Sequence, residues 1–298
     1  MKQIAILGAT ASGKTALSLE LASKHNAIIL SLDSLSIYKE IDIASAKPTK
    51  EERGDIVHFG IDEIYPDEYF SSALFFTLYE KAKSYAKKHE KNLIIVGGTS
   101  FYLKSLKDGL SLFPKIDERI KKEAQSIAND PNDAYRLIQK LDEQYAKNIS
   151  SSDRYRIGKW YEIYLSSKTT ATEYFKKHKK ESPAKDIKIY EIAIQRDELR
   201  QRIKIRTDKM IQEGLIDEVF YLEKRYTRAP KSMKSIGIKE TLEYLDGKLS
   251  IPELSEKISI ATSQLAKRQN TFNKTQFDNI TKEDLKTLKD SIDKDLSR

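Results

Sequence analysis

The chain has 298 residues, 39% hydrophobic and 33% charged, enough for one large domain or a core carrying an insertion, and this balance excludes a disordered chain. The absence of cysteine excludes disulfides and cysteine-ligated zinc, and four scattered histidines argue against any other zinc centre. A net charge of +8, from 53 Lys and Arg against 45 Asp and Glu, favours attraction to polyanions, while no apolar run approaches the length needed to cross a bilayer.

In chain order, the first element is a strand over Ile4-Ala5-Ile6-Leu7, too close to Met1 to leave room for a signal peptide, so the protein is expected in the cytoplasm. A glycine loop and an apolar-periodic helix with Leu17, Leu21 and Ala22 follow. A second strand, Ile28-Ile29-Leu30-Ser31-Leu32, ends at Asp33-Ser34. A helix over 75–88 leads to a third, Leu93-Ile94-Ile95-Val96, which ends at Gly97-Gly98-Thr99-Ser100. Short continuous apolar runs alternating with helices predict an α/β fold whose parallel sheet is buried on both faces. Ligands of such sheets gather beyond the carboxyl ends of the strands, where Lys14, Asp33 and Thr99 fall.

From 115 to 180 the apolar spacing is helical without strand-like runs, and the segment closes on a basic run at 176–180 before Ser182-Pro183. The expected organisation is therefore a core at 1–114, an all-helical insertion domain at 115–183, and a return to the core at 184–298 with C-terminal helices. The basic run reads as a solvated edge. A returning strand is expected over 187–194, then helices that Asp197 caps from Glu198 onward and that continue through 264–272. The tail from Thr281 reads as a charged surface helix, and no internal repeat is present.

The loop Gly8-Ala9-Thr10-Ala11-Ser12-Gly13-Lys14-Thr15 fits G-x-x-x-x-G-K-[ST] between a strand and a helix, the P-loop context. Its glycines let backbone N–H groups converge on phosphate oxygens at a helix N-terminus, Lys14 balances phosphate charge, and Thr15 is placed to contact magnesium. The default occupant of such a loop is ATP, so one reading is a nucleotide-binding small-molecule kinase. The third strand, however, ends without an acid. Asp33 either organises magnesium or faces an acceptor, and spacing does not choose between them.

The loop does not stand alone. It is followed by Asp33-Ser34, Tyr38-Lys39, Ala46-Lys47-Pro48-Thr49, Gly97-Gly98-Thr99 and Tyr102. Further on come Arg202, Arg206, Gly214-Leu215-Ile216-Asp217-Glu218-Val219, Ser235-Ile236-Gly237-Ile238-Lys239-Glu240 and Gln264-Leu265-Ala266-Lys267-Arg268-Gln269. This ordered series, spanning most of the chain, resembles the bacterial tRNA dimethylallyltransferases, also called tRNA isopentenyltransferases. The resemblance implies a P-loop core that holds dimethylallyl diphosphate, a Mg2+ cofactor, and an insertion that helps embrace the tRNA anticodon stem-loop. It further implies transfer to N6 of adenosine 37 by a monomer without an obligate protein partner. By the same resemblance, the leaving diphosphate sits in the loop with Arg206 as a further ligand. On spacing alone, Arg202 and Arg206 share a face that reads as a solvated helix surface.

An exocyclic adenine amine is a poor nucleophile, so attack on an allylic carbon is helped when a carboxylate accepts its proton, the role assigned to Asp33. Thr99 matches a family threonine near the reacting groups, and its hydroxyl is suited to orient the amine or a phosphate oxygen. Chemistry on a base requires drawing it from its stack, and Ser34, Leu35 and Ser36 fall where the family contacts the flipped base. Other stretches match those that approach RNA: Lys121; Tyr155, Arg156, Ile157, Gly158 and Lys159; Lys234, Ser235, Ile236, Gly237, Ile238 and Lys239; and Lys267, Arg268, Gln269, Asn270, Thr271, Phe272, Asn273 and Lys274. The last mixes phosphate partners with a possible stacking ring, although periodicity alone equally allows a core-facing Phe272. Departures from the family pattern are Lys159 and Lys274 for usual arginines, Ile238 for tyrosine, Ser263 for arginine and Phe272 for tryptophan. None touches the loop, Asp33 or Thr99.

Overall fold

The computed structural model describes residues 1–109, 113–178 and 181–297. Within them, six strands form one parallel sheet: β1 (Gln3–Leu7), β2 (Ala27–Ser31), β3 (His58–Phe59), β4 (Asn92–Val96), β5 (Lys188–Ile192) and β6 (Ile280–Glu283), in the order β3-β2-β4-β1-β5-β6. Parallel pairing forces each connection to cross over the sheet, so helices cover both faces and the central strands must be apolar on both sides. β1 meets that demand, with Ile4, Ala5, Ile6 and Leu7 at most 3% exposed.

Two compact units account for the chain: Met1–Ser105 together with Asp186–Arg298, and Leu106–Lys185. The first contains α1 (Lys14–Lys24), the one-turn α2 (Lys50–Arg53), α3 (Ser72–Lys88) and most of α4 (Ser100–Asp108). Leu17 and Leu21 of α1 pack with Ile4, Ile6, Ile29, Ile94 and Tyr190 on one face of the sheet. The α3 residues Phe75, Leu78, Tyr79 and Ala82 are buried against β2 and β4 outside that cluster, on the opposite face. Ser71 caps α3 by accepting from the Leu74 amide.

The second unit holds α5 (Glu118–Ala128), α6 (Pro131–Leu141), α7 (Glu143–Ala146), α8 (Arg154–Ser167) and α9 (Ala171–Lys177), with no strand among its described residues. Trp160 is fully buried at its centre, stacked on Tyr164. Its indole Nε1 donates to Asp142 Oδ2 at 2.9 Å, and Thr172 gives the same carboxylate its backbone N–H (3.0 Å) and hydroxyl (2.6 Å). A buried carboxylate with this many donors ties α7, α8 and α9 together. Lys179 and Lys180 of the basic run lie outside the described residues.

The returning segment builds α10 (Arg196–Gln212), α11 (Leu215–Tyr226), a 3-10 turn at Ser232–Lys234, α12 (Ile238–Leu245), α13 (Ile251–Gln276) and α14 (Leu285–Ser297). Two expectations need correction. Gln195, not Asp197, precedes the first turn of α10, which places Asp197 and Glu198 inside that turn, where their charges favour the helix dipole. The tail is more than a surface helix: residues 280–283 form β6 beside β5, and Leu288, Ile292 and Leu296 of α14 are buried against α1 and the sheet. Each such side chain contributes about 1.5–3 kcal/mol of burial, so the terminus is part of the core.

Candidate active site

The site is built from the ends of three parallel strands and two returning helices. After β1, the chain turns through the glycine loop into α1. Gly13, at φ 98°, occupies the left-handed conformation just before the helix, where a side chain would strain the backbone. The loop closes on itself through Ser12 N–H to Ala9 O (3.2 Å), and Lys14 Nζ folds back to donate to Ala9 O at 2.6 Å. Ser12 Oγ is buried with no hydrogen-bond partner among the described residues, a polar atom waiting for an acceptor or donor inside the loop.

Two helices from the far end of the sequence close over this loop. Arg206 of α10 donates from Nη1 to Thr10 Oγ1 (3.2 Å), and the Thr10 N–H donates to Gln269 Oε1 of α13 (2.9 Å). The Gln269 amide fills the space above Gly98, so any side chain at 98 would collide with it. Arg202, one turn before Arg206, pairs with Glu198 at 2.8 Å and borders the same cavity. Lys14 keeps partial solvent contact through the cleft, yet its ammonium is enclosed: burial first, then the neighbouring Arg206 charge, lower its pKa to about 8, with Asp33 pulling the other way. Burial also lowers the Arg206 pKa, again against the pull of Asp33. Two cations beside one carboxylate are thus held ready for an anion with more negative charge than Asp33 supplies.

Asp33 follows β2. Its Oδ1 accepts the backbone N–H groups of Leu35 (2.8 Å) and Ser36 (3.2 Å), an Asx turn that fixes the carboxylate and leaves Oδ2 without a partner among the described residues. Thr99 follows β4, tied to the residue after β2 through its N–H to Leu32 O at 3.2 Å, and its hydroxyl has no hydrogen-bond partner among the described residues.

The cleft has two lobes. The larger, about 940 Å3, is lined by the loop from Thr10 through Thr15, by Asp33, Arg202 and Arg206, and by apolar groups including Ile29, Ile43, Ile61 and Val96. The smaller, about 490 Å3, is lined by Asp33, Ser34, Leu35, Thr99, Phe101, Lys234, Ser235, Ile236, Gly237, Arg268 and Phe272. They share Thr10, Asp33, Ser45, Gly98, Arg206, Met210 and Gln269. The chamber lined by the glycine loop therefore opens onto a chamber with an aromatic and basic lining, and Asp33 stands at the junction. No group of three or more His, Cys, Asp or Glu able to hold a metal occurs among the described residues. A magnesium ion needs no such cage, because it keeps several waters and takes one or two protein oxygens plus phosphate oxygens. Thr15, which lines the larger lobe, offers a hydroxyl of that kind.

The residues expected to face RNA divide sharply. Asp33, Ser34, Leu35, Thr99, residues 234–237, Arg268, Gln269 and Phe272 line the smaller lobe, while Ser36 is buried beside the larger one. Lys239, Lys267, Thr271 and Lys274 are exposed, and Asn270 is half-buried. Three side chains expected at the RNA surface do not reach it: Ile157 and Ile238 are core residues, and Asn273 is fully buried, with Nδ2 donating to Glu191 Oε1 at 3.0 Å. Helical periodicity explains all three, since each lies on the inward face of an otherwise polar stretch. Gly158 is likewise buried, on the α8 face that packs on α5. In the helical unit, Tyr155 is 72% exposed, Arg156 donates to Asn148 O, Lys121 pairs with Glu118, and Lys159 pairs with Glu162 at 2.7 Å.

Sequence reasoning gave no role to the turn at residues 41–46, yet it walls both lobes. Glu218 of α11 accepts the N–H groups of Asp42 (2.9 Å), Ile43 (2.7 Å) and Ala44 (2.9 Å), and burial pushes its carboxyl pKa up against the pull of those amides. The Lys47 ammonium, almost wholly enclosed, holds the other end through Asp42 (2.5 Å), Asp62 and Tyr38 O. The sequence signal for it was the place of Ala46, Lys47 and Glu218 in the family-like series.

Residues 36–276 match the family model described as IPP transferase. The chain is 59% identical over 292 residues to the tRNA dimethylallyltransferase of Aliarcobacter butzleri, covering 98% of each chain, and 52% identical, with the same coverage, to that of Sulfurimonas denitrificans. Among solved structures it is similar to a eukaryotic dimethylallyltransferase acting on tRNA, with a TM-score of 0.83 at 25% identity over 100% of this chain and 78% of the other. It is also similar to the tRNA isopentenylpyrophosphate transferase of Staphylococcus epidermidis, with a TM-score of 0.69 at 30% identity over 100% and 99%. With the family model matching residues 36–276 and relatives this similar, the chain belongs to the IPP transferase family.

Proposed function

We propose that this chain transfers a dimethylallyl group from dimethylallyl diphosphate to N6 of adenosine 37 of tRNA, releasing diphosphate. The observation that carries the reading is the position of Asp33 at the junction of the two lobes, with the phosphate loop on one side and Thr99, Arg268 and Phe272 on the other. In the reaction, N6 forms a bond to C1 of the allyl group, the C1–O bond breaks, and its electron pair leaves with the diphosphate. The N6 proton passes to Asp33 Oδ2, because Oδ1 is already saturated by two amides. Negative charge grows on the leaving oxygens, where the loop amides, Lys14 and Arg206 converge, so these groups favour the transition state over the bound donor. Magnesium held by the Thr15 hydroxyl and by waters would supply further charge neutralisation to the diphosphate.

The acceptor base enters the smaller lobe, where Phe101 and Phe272 offer ring faces, the Thr99 hydroxyl orients the amine, and Lys234 and Arg268 lie ready for phosphates. The exposed basic groups Lys239, Lys267 and Lys274, with Lys121, Tyr155, Arg156 and Lys159 of the helical unit, serve the anticodon stem-loop. A small-molecule kinase would need neither this lining nor so large a second chamber, and the relatives named above are transferases of tRNA. The same reading places the protein in the cytoplasm as a monomer without an obligate partner. No helix among the described residues is long and apolar enough to cross a membrane.

The test is incubation with radiolabelled dimethylallyl diphosphate and unmodified tRNA. Label is expected in the RNA fraction. ATP-dependent phosphorylation of a small acceptor, with no label reaching RNA, would overturn the reading.

A further inference from the structure

Residues 41–46 contain one tight turn, at 43–46, which ends on Ala46 in the left-handed conformation. Ala46 N–H donates to Ile43 O (2.9 Å), and Ser45 Oγ donates to Ile41 O (2.6 Å) and Asp42 O (3.1 Å). Such a turn leaves its leading N–H groups unpaired and, in water, does not persist by itself. Here one carboxylate from 174 to 176 residues away takes all three, Asp42, Ile43 and Ala44. Three amides on a single side chain hold the backbone at a fixed height and rotation, which a single bond would not do.

What the turn presents is the reason to care. Ile43 and Ala46 contribute apolar wall to the larger lobe, beside Ile29, Ile61 and Val96, and Ala44 and Ser45 face the smaller lobe. Gly214, directly before α11, brings the start of that helix against the turn: a Cβ on it would lie 3.8 Å from Ile43 Cδ1. None of these contacts involves the phosphate loop itself, whose partners are Arg206 and Gln269.

We propose that Glu218 is a positioning residue for the prenyl donor: by capping the three amides of Asp42, Ile43 and Ala44 it sets the Ile43 wall against which the dimethylallyl chain packs. The proposal rests on the donor assignment above, and it makes a distinction a general structural role would not. A donor carries two handles, an apolar chain and a diphosphate. Loosening the turn weakens the first and spares the second.

Glu218→Gln keeps the side-chain length but removes the charge and leaves one N–H acceptor oxygen for three amides. The KM for dimethylallyl diphosphate is expected to rise about tenfold or more, while kcat changes less and inhibition by inorganic diphosphate is unchanged. Ile43→Ala, which removes the wall without touching the backbone amides, is expected to reproduce the rise, so the inference stays testable if the Glu218 variant folds poorly. An unchanged KM in both variants would overturn the proposal. So would a KM and a diphosphate inhibition constant that worsen in parallel, because the phosphate loop would then be disturbed as well. Wild-type protein that moves no label onto tRNA would instead overturn the functional reading beneath it, a result visible before any variant is made.

Discussion

Replacing Arg206 by Ala probes the charge arrangement of the larger lobe. The guanidinium is buried, donates to Thr10 Oγ1 and stands close enough to Lys14 to depress its pKa. A charge-assisted hydrogen bond is worth about 1.5–3 kcal/mol, so loss of the contact proposed between Arg206 and the diphosphate should lower kcat/KM for dimethylallyl diphosphate about 10- to 160-fold. A second effect runs through Lys14. Its ammonium must be charged to hold the anion, and with a pKa of about 8 the charged form is lost as pH rises through that value, so wild-type kcat/KM should fall above about pH 8. Removing Arg206 takes away a neighbouring positive charge, which raises the Lys14 pKa. Burial, the larger cause, remains. The alkaline limb should therefore shift upward part of the way towards the ordinary 10.5. Initial rates of label transfer at subsaturating donor, from pH 7 to 10, read both effects. A fall in rate with an unmoved alkaline limb would refute the coupling between the two cations, and an unchanged rate would refute the contact.

Two further changes probe other parts of the account. Gly98→Ala should push the Gln269 amide off the Thr10 N–H and lower kcat/KM about five- to tenfold; adding Gln269→Ala should then cost little more, and full additivity in rate measurements would contradict the shared contact. Asp142→Ala leaves the Trp160 indole and both Thr172 donors without their acceptor and should reduce the stability of the helical unit by about 3 kcal/mol or more. A urea titration followed by fluorescence of Trp160, the one tryptophan in the chain, reads this directly, and an unshifted midpoint would contradict the network.

Much of the core was legible because its signals are local. Strands β1, β2 and β4 are continuous apolar runs, and each ends at the residue that matters: the loop after Leu7, Asp33 after β2, Thr99 after β4. The parallel sheet explains why these ends converge, so motif and topology point to one place. The polar stretch at 280–283 did not read as a strand because it is an edge strand of half-exposed residues, with no apolar run to mark it. The α14 trio Leu288, Ile292 and Leu296 was visible at four-residue spacing, but the surrounding lysines and aspartates concealed its packing on α1. Burial of Ile157, Ile238 and Asn273 could not be separated from surface positions by motif matching, since the match reports identity and not the face of a helix. Contacts such as Thr10 with Gln269 and Ile43 with Glu218 span 259 and 175 residues, and nothing in local spacing encodes them.

The central claim is that Asp33, at the junction of the lobes, takes the proton from the amine during transfer. The most direct measurement compares Asp33→Asn with wild type in single-turnover transfer of labelled dimethylallyl to tRNA, alongside tRNA binding. The asparagine can still accept the Leu35 and Ser36 amides through its carbonyl, so the turn and the RNA surface should persist. The account predicts a transfer rate reduced about 100-fold or more with nearly unchanged tRNA affinity. A variant that transfers at the wild-type rate, or that loses affinity and rate to the same degree, would contradict it.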